Sequence, residues 1–524
     1  MRKREMFETK FDLFKIYLTL WGAYFLRVWS IALLPTKEGM RAGWLSSWAD
    51  GAAHLSYMSS FAYRSSFPKQ NIIFLGKDFS YPFVADMLGG MLMRLGVPFW
   101  ISYNLLGFVF SMFLVVMVWK LFDYLFKNSL VSFISSAIFF LGAGLENLGK
   151  FFFSEDKSFW NTYDWVDIIS AQIMPQRALI LGMPLAIFVL LYILKVVKGK
   201  NVNKFSLFLL GTLTGLMPII HPHSLLILFI LIFWVFIVDV FKRKKIRAFW
   251  WWFGAPAVLI GSWFLFKQTS TFDGSFVKYL PGWLAASKNE NLFWFWIKSW
   301  GVWPIVVLLG WIKLQRQKKF LFFPLILMFV FLNFYTLQPY DWDNTKIFIW
   351  IYLFFSGVAG SFVSSLINKR KFFGGLLLFL MIFSGSIDAF RLVFPQNNPK
   401  LVPFTNEELL LAKSIRNETD PNSIFLTSDY HLSIIPTLTG RQILMGYRGW
   451  LWTYGIDYGN REKEVEVMYG GGDGGEYLLE KYGVDYVVFD NTLFWGSMNV
   501  DEDYFRNNYS LDFESSGYRV YKIN

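Results

Sequence analysis

The 524-residue chain contains no cysteine. That excludes a disulfide framework, a thiol nucleophile and any cysteine-ligated zinc or iron–sulfur centre. Histidine is almost as scarce, at four, so an imidazole-based metal site would need carboxylates from elsewhere in the chain. Charged residues make up only 17%, below the roughly one quarter usual in soluble domains. No glycine-rich loop of the kind that cradles nucleotide phosphates is evident, nor an internal repeat of the kind found in inverted-repeat transporters. Long apolar runs are missing after residue 394.

What is present is apolar and aromatic: 55% hydrophobic residues and 21% Phe, Trp and Tyr. Before residue 394, stretches of about 17 to 25 mostly apolar residues recur, each matching the length of a helix that crosses the hydrocarbon core of a bilayer. Eleven spans are predicted, at roughly 11–34, 98–122, 129–147, 172–194, 204–220, 223–241, 248–266, 292–312, 319–337, 346–367 and 372–393. The basic start, Met1 to Arg4, leads into the first of these without a small-residue cleavage site, so it reads as a retained helix.

The net charge of +12 sits in short clusters between apolar spans and not along one soluble surface, which speaks for topology signals and against a nucleic-acid partner. With the N-terminus in the cytoplasm, Lys120 and Lys127, the group Lys195/Lys198/Lys200/Lys204, the run from Lys242 to Arg247, the group Lys313/Arg316/Lys318/Lys319 and the run Lys369 to Lys371 all fall inside. The longer, acidic connections 35–97, 148–171 and 267–291, the short 338–345 and everything after 394 then fall outside. A crossing at the apolar residues 82–95 would invert this pattern, so that segment is expected to be a short interfacial or re-entrant helix. Residues 395–524 shift to a mixed, charged composition, with short apolar runs at Ile424 and Tyr486 and helical spacing at 405–416 and 475–482. They are expected to form a small external α/β domain beside a transmembrane domain of residues 1–394.

Most of the chemically suggestive residues gather on the external side. Asp50 lies in Trp48-Ala-Asp50-Gly-Ala-Ala-His54, where a carboxylate near apolar groups suits a general base or a simple helix cap. His221 and His223 flank Pro222 at a span junction, where imidazole can donate to phosphate, bind metal or cap a helix. Arg177, at the mouth of the fourth span, can hold a phosphate bidentately or snorkel to headgroups. The loop Gln338 to Lys346 packs Asp341, Asp343 and Lys346 together; Lys346 can meet a phosphate as a point charge, or the loop can be salt-bridged. Glu155, Asp156 and Asp164 offer a second acid, as do Asp167 and Glu146. Trp450, Trp452, Tyr454 and Asp457 combine stacking faces with a hydroxyl-binding acid, as a sugar or acceptor site needs, or dock the external domain on the membrane.

This arrangement resembles the GT-C membrane glycosyltransferases, which use polyprenyl-phosphate-linked sugars. The resemblance covers the architecture: a cytoplasmic N-terminus, a long first external loop with an acid soon after the first helix, about eleven to thirteen spans and an external C-terminal domain. It implies that Asp50 is the base acting on an acceptor hydroxyl, that one of Glu155, Asp156 and Asp164 is a second acid, and that transfer inverts the anomeric carbon. It further implies a donor phosphate site of Arg177, His221, His223 and Lys346, and a glycan, lipid or protein acceptor. Many relatives carry two adjacent acids in the first loop, whereas here Gly51 follows Asp50. No cofactor is required by the sequence; a divalent cation, magnesium or manganese, is the one candidate. The string Trp450 to Gly459 is similar to the Trp-Trp-Asp-Tyr-Gly signature of oligosaccharyltransferase subunits in a different order and spacing, which makes transfer to protein the alternative. A lipid or solute transporter, or a non-catalytic membrane scaffold, is the reading outside this class. The expected location is the cell membrane.

Overall fold

The structure, a computed structural model, describes residues 2–145, 167–270, 277–396, 399–493 and 500–523. In a bilayer every backbone N–H and C=O must be satisfied within its own segment, so apolar runs fold as helices. In chain order these are α1 (Arg2–Ser30), α2 (Leu45–Tyr63), α3 (Val84–Arg94), α4 (Phe99–Phe126), α5 (Ser129–Leu141), α6 (Arg177–Val197) and α7 (Lys204–Gly215). There follow α8 (Pro222–Arg243), α9 (Ala248–Thr269), α10 (Leu292–Trp300), α11 (Trp303–Lys313), α12 (Arg316–Leu332), α13 (Thr345–Lys369) and α14 (Lys371–Arg391).

Each of the eleven segments expected to span contains a helix, though by length and composition alone fewer than eleven of these helices qualify as full crossings. Among the described residues six helices are long and apolar enough to cross a bilayer: α4, α6, α8, α9, α13 with its leading turn, and α14. A seventh is made if α10 and α11, bent by 91° where Gly301 takes φ +60, act as one span. The shortfall has physical causes. A straight crossing needs about 20 residues, and α5, α7 and α12 have 13, 12 and 17. The longer α1 carries Asp12, Lys15 and Arg27 in its apolar stretch. At 11 residues, α3 is too short to cross, in keeping with the reading of 82–95 as a non-spanning helix. The chain is a multi-pass membrane protein.

The chain divides into two compact units. The first comprises residues 1–28, 107–265 and 276–394. Its centre is α13, whose most apolar stretch is 89% buried, against 22% for α9. Ser135 of α5 lies so close to Gly360 of α13 that a methyl group there would overlap it, the close backbone approach that small residues allow between membrane helices. Val258, Leu259 and Trp263 of α9 stay exposed, as lipid-facing side chains must.

The second unit comprises residues 29–106, 266–275 and 395–524. Its C-terminal part adds α15 (Asn406–Glu418), α16 (Arg448–Thr453), α17 (Gly459–Tyr469), α18 (Gly472–Tyr482) and α19 (Glu502–Asn508). Strands β1 (Leu33–Pro35), β2 (Gly39–Ala42) and, leaving aside β3 (Lys278–Tyr279) and β4 (Tyr335–Thr336) of the first unit, β5 (Phe404–Thr405) form an antiparallel sheet. Strands β6 (Ile424–Leu426), β7 (Gln442–Ile443), β8 (Tyr486–Phe489), β9 (Ser510–Ser515) and β10 (Tyr518–Lys522) form a mixed sheet in the order β7-β6-β8-β10-β9. Its β7-β6-β8 half is parallel and its β8-β10-β9 half antiparallel.

Backbone pairing ties the first loop into this unit. Ile443 N–H donates to the Ile72 carbonyl (3.1 Å), Gly446 N–H to Ile73 (2.8 Å), and Leu75 N–H to Leu444 (3.2 Å). On α2, the Ser59 hydroxyl donates to the Thr437 carbonyl at 2.6 Å. Next to it Gly440, at φ +68, leaves no room for a side chain against the Ser59 carbonyl. Arg441 is buried behind this contact and donates to the carbonyls of Thr439 (3.1 Å), Arg416 (2.8 Å) and Thr419 (2.9 Å) and to the Thr419 hydroxyl (3.0 Å).

Candidate functional site

In the first unit the polar residues converge on the N-terminal ends of three long helices. Arg177 is the first residue of α6 and is fully buried. His221 caps α8, its Nδ1 lying 2.7 Å from the Ser224 hydroxyl, and His223 follows one residue into the helix. Lys346 is the second residue of α13. A helix N-terminus presents unpaired N–H groups and the positive end of the macrodipole, so each start favours an anion.

Side chains link the three starts. Before α6 the chain makes a π-helical turn, Ile169–Ile173, from which Gln172 donates its amide to the Thr345 hydroxyl at the start of α13 (3.0 Å). Gln176, just ahead of Arg177, donates to Gln172 in turn (2.8 Å). Lys346 acts electrostatically on both histidines, whose rings are 5.1 Å apart. The loop before α13 is shaped by Asn344, which donates to the carbonyls of Leu332 and Tyr335 and accepts from Leu337 N–H. That places the Gln338 amide nitrogen 2.7 Å from His223 Nε2. With the amide as donor, the imidazole proton sits on Nδ1, which is buried and meets no hydrogen-bond partner among the described residues. Such a donor beside the Lys346 ammonium is suited to a phosphate oxygen.

The acids predicted beside this cluster are otherwise engaged. Asp343 is paired with Lys346 at 2.7 Å. Asp341 is part-exposed, 3.7 Å from Lys278, and its backbone carbonyl accepts from the Trp283 indole. Glu146, Glu155, Asp156 and Asp164 lie outside the described residues. Asp167 is fully buried and accepts from Ile169 N–H (2.8 Å), Ser170 N–H (3.1 Å) and the Ser170 hydroxyl, so it caps the π-helical turn that aims Gln172. Burial, and then the neighbouring Asp388, push its carboxyl up to about 8.

In the second unit, Asp50 lies on α2 and is exposed. One helical turn on, His54 is buried and its Nδ1 lies 3.1 and 3.0 Å from the two oxygens of Asp86, itself buried on α3. A carboxylate is acceptor-only, so Asp86 fixes the His54 ring with the proton on Nδ1. Tyr81 stands 6.3 Å from that ring, stacks on Tyr57 at 4.7 Å and meets Tyr454 at 5.2 Å. Trp48, two residues before Asp50, meets the edge of His431 at 4.4 Å, and Tyr447 and Trp450 lie around the same imidazole at 5.7 and 6.3 Å. Burial pushes His431 down to about 4. Trp452 is exposed on α16, and Asp457 accepts from Gly459 N–H at 3.1 Å in an exposed turn.

Of the predicted residues, Arg177, His221, His223, Asp341, Asp343 and Lys346 lie in one unit, and Asp50, Trp450, Trp452, Tyr454 and Asp457 in the other. The structure also adds members to which the sequence reading gave no role of their own: Gln172, Gln176 and Gln338 around the cations, and Asp86, Tyr81 and His431 around α2. His54 was visible in its motif, and scarcity of histidine was the signal. Asp86 had none, because it sits inside an apolar stretch that reads as helix alone. Among the described residues no group of three or more His, Asp or Glu side chains could hold a metal ion. Gly51 follows Asp50, so this motif supplies one carboxylate, and the second acids expected from the sequence, Glu155, Asp156 and Asp164, lie outside the described residues.

No family model matches the chain, and no curated protein matches it in sequence. Solved structures do. ArnT from Cupriavidus metallidurans, in its apo state, aligns over 97% of this chain and 97% of its own with a TM-score of 0.50 at 9% identity. The oligosaccharyltransferase of Archaeoglobus fulgidus, in complex with zinc and sulfate, aligns over 90% of this chain and 68% of its own with a TM-score of 0.48 at 11% identity. AglB from Archaeoglobus fulgidus, in complex with an inhibitory peptide and a dolichol-phosphate, gives 0.46 at 13% identity over 90% and 69%. At such identities likeness speaks to architecture alone: the chain shares the fold of ArnT.

Proposed function

We propose that this protein is a membrane glycosyltransferase that moves a sugar from a polyprenyl-phosphate donor to an acceptor hydroxyl on the extracytoplasmic face of the cell membrane. The observation that supports the reading is that Arg177, the His221/His223 pair and Lys346 each stand at the N-terminus of a long helix, with Gln172 linking the starts of two of these helices. Anion-binding geometry at the mouth of membrane helices suits a substrate whose phosphate is anchored by a lipid tail. In this reading all eleven apolar segments cross, with the N-terminus cytoplasmic and residues 395–524 external.

In the transfer step the acceptor oxygen attacks the anomeric carbon and its proton passes to the Asp50 carboxylate. The bond from that carbon to the phosphate oxygen breaks, and its electron pair leaves with the polyprenyl phosphate. The configuration inverts. Negative charge grows on the leaving oxygen, where Arg177, Lys346 and the His223 Nδ1–H would stabilise it more strongly than in the ground state. The Asp86–His54 pair holds α2 against α3 and so steadies the turn that bears Asp50. The Trp450, Tyr454 and Asp457 segment is the acceptor-facing element, for a glycan, a lipid or a peptide.

The test is a transfer assay on purified protein with radiolabelled polyprenyl-phosphate sugars and a panel of acceptors. Asp50→Asn, isosteric and unable to take the proton, should lose activity by about a hundredfold or more. A folded Asp50→Asn protein with full activity would remove Asp50 as the base, and a wild-type protein that consumes no donor would sink the enzyme reading. Labelling of Asn289→Cys by a membrane-impermeant reagent from outside the cell checks the orientation.

A further inference from the structure

About 17 to 27 Å along α6 from Arg177, at the rise of an α-helix, lies a second polar site. Met117, Lys120, Asp123 and Tyr124 of α4 and Phe188, Leu191, Tyr192 and Lys195 of α6 line a cavity of about 320 Å³. The spacing of three and four residues in both helices puts each set on one face. Two further ammonium groups cover the tyrosines of this wall: Lys198 sits 4.5 Å from the Tyr124 ring centre and Lys200 5.3 Å from that of Tyr192. Four lysines therefore surround a cavity whose lining includes one carboxylate, Asp123. Lysines at a helix end ordinarily extend away into the headgroup region; here two fold back over the rings of one cavity.

Two other features point to an amphiphilic ligand. The Tyr124 hydroxyl is buried and has no hydrogen-bond partner among the described residues. Phe188, in the lining, is 40% exposed, so the cavity has an apolar flank open to the surface. Cations also crowd beyond the wall: Lys318 is pushed down by burial and by the charges of Lys127 and Lys198.

We propose that this cavity binds an anionic phospholipid, its phosphate held by Lys120, Lys195 and Lys198 with the Tyr124 hydroxyl, and an acyl chain laid along Met117, Phe188 and Leu191. Basic pockets between membrane helices on the cytoplasmic side are suited to such headgroups. The site is independent of the transfer reaction and stands or falls without it.

Native mass spectrometry of the full-length protein, titrated with phosphatidylglycerol, with phosphatidylcholine of the same chains and with inorganic phosphate, tests this directly. Phosphatidylglycerol should be retained at least about tenfold more tightly than phosphatidylcholine, since each lysine near a headgroup contributes about fivefold. The double variant Lys195→Gln/Lys198→Gln should lose about 25-fold in that affinity on the same basis, while Lys195→Arg keeps it. Equal retention of the two lipids, or a folded double variant with unchanged affinity, would overturn the proposal. Inorganic phosphate bound as tightly as the lipid would assign the cavity to a soluble anion and overturn it equally. Melting of the delipidated double variant within a degree or two of wild type keeps a loss of binding from being a loss of fold.

Discussion

Two buried polar groups, one in each unit, use their hydrogen bonds differently. In the second unit every nitrogen of the buried Arg441 guanidinium has a partner: it donates to three backbone carbonyls and a hydroxyl. In the first unit the polar side chains at the starts of α6, α8 and α13 are linked to one another through amides and a hydroxyl, and the His223 Nδ1 finds no partner among the described residues. A buried polar group is stable when its hydrogen bonds are made, and functional when one is left for a substrate. By that contrast Arg441 is structural and the Arg177–His223–Lys346 group is the candidate site.

The largest effect expected from the contrast is on Arg441. Arg441→Ala orphans three buried carbonyls and should cost the second unit about 3 kcal/mol or more, read as a drop in melting temperature or a new protease-sensitive site near residues 416–442. Next is Asp86→Ala, which removes the acceptor of a buried imidazole. A loss of about 1–3 kcal/mol is expected, with α2 and α3 gaining hydrogen exchange before the rest of the unit. If Asp86→Ala leaves exchange on α2 unchanged, the pair does not steady Asp50.

A smaller effect concerns pH. His431 is held at about 4 by burial against its ordinary 6.5, so the folded second unit refuses a proton that the unfolded chain accepts. Its contribution is full above about 6.5 and is lost as the pH falls from there toward 4. His431→Gln, which cannot be protonated, should flatten that part of the acid-stability profile in thermal melts. An unaltered profile would mean that the Trp48, Tyr447 and Trp450 rings do not keep the imidazole dry.

Much of the first unit was legible in the sequence because hydropathy is local: eleven apolar segments were expected and each contains a helix. Their number as full crossings was less so, since a run can be apolar for 17 residues while its helix has 12 or 13, as α5 and α7 do. The second unit was harder to read. The strand runs at Ile424 and Tyr486 are visible as short apolar segments, but the pairing of residues 72–75 with 443–446 joins stretches about 370 positions apart and leaves no periodic trace. The cations of the candidate site stood out as charges at span ends. Its amides did not, because Gln172, Gln176 and Gln338 matter only through the partners the fold gives them.

The division of labour is tested most directly by donor and acceptor kinetics on Arg177→Ala and Asp50→Asn, measured side by side. The account predicts that Arg177→Ala raises the KM for the polyprenyl-phosphate sugar by about tenfold or more, the worth of a charge-assisted phosphate contact, and leaves the acceptor KM in place. It predicts that Asp50→Asn lowers kcat and leaves donor binding as it was. A normal donor KM in Arg177→Ala, or an Asp50→Asn protein that fails to bind donor yet turns over at full rate when saturated, would contradict it.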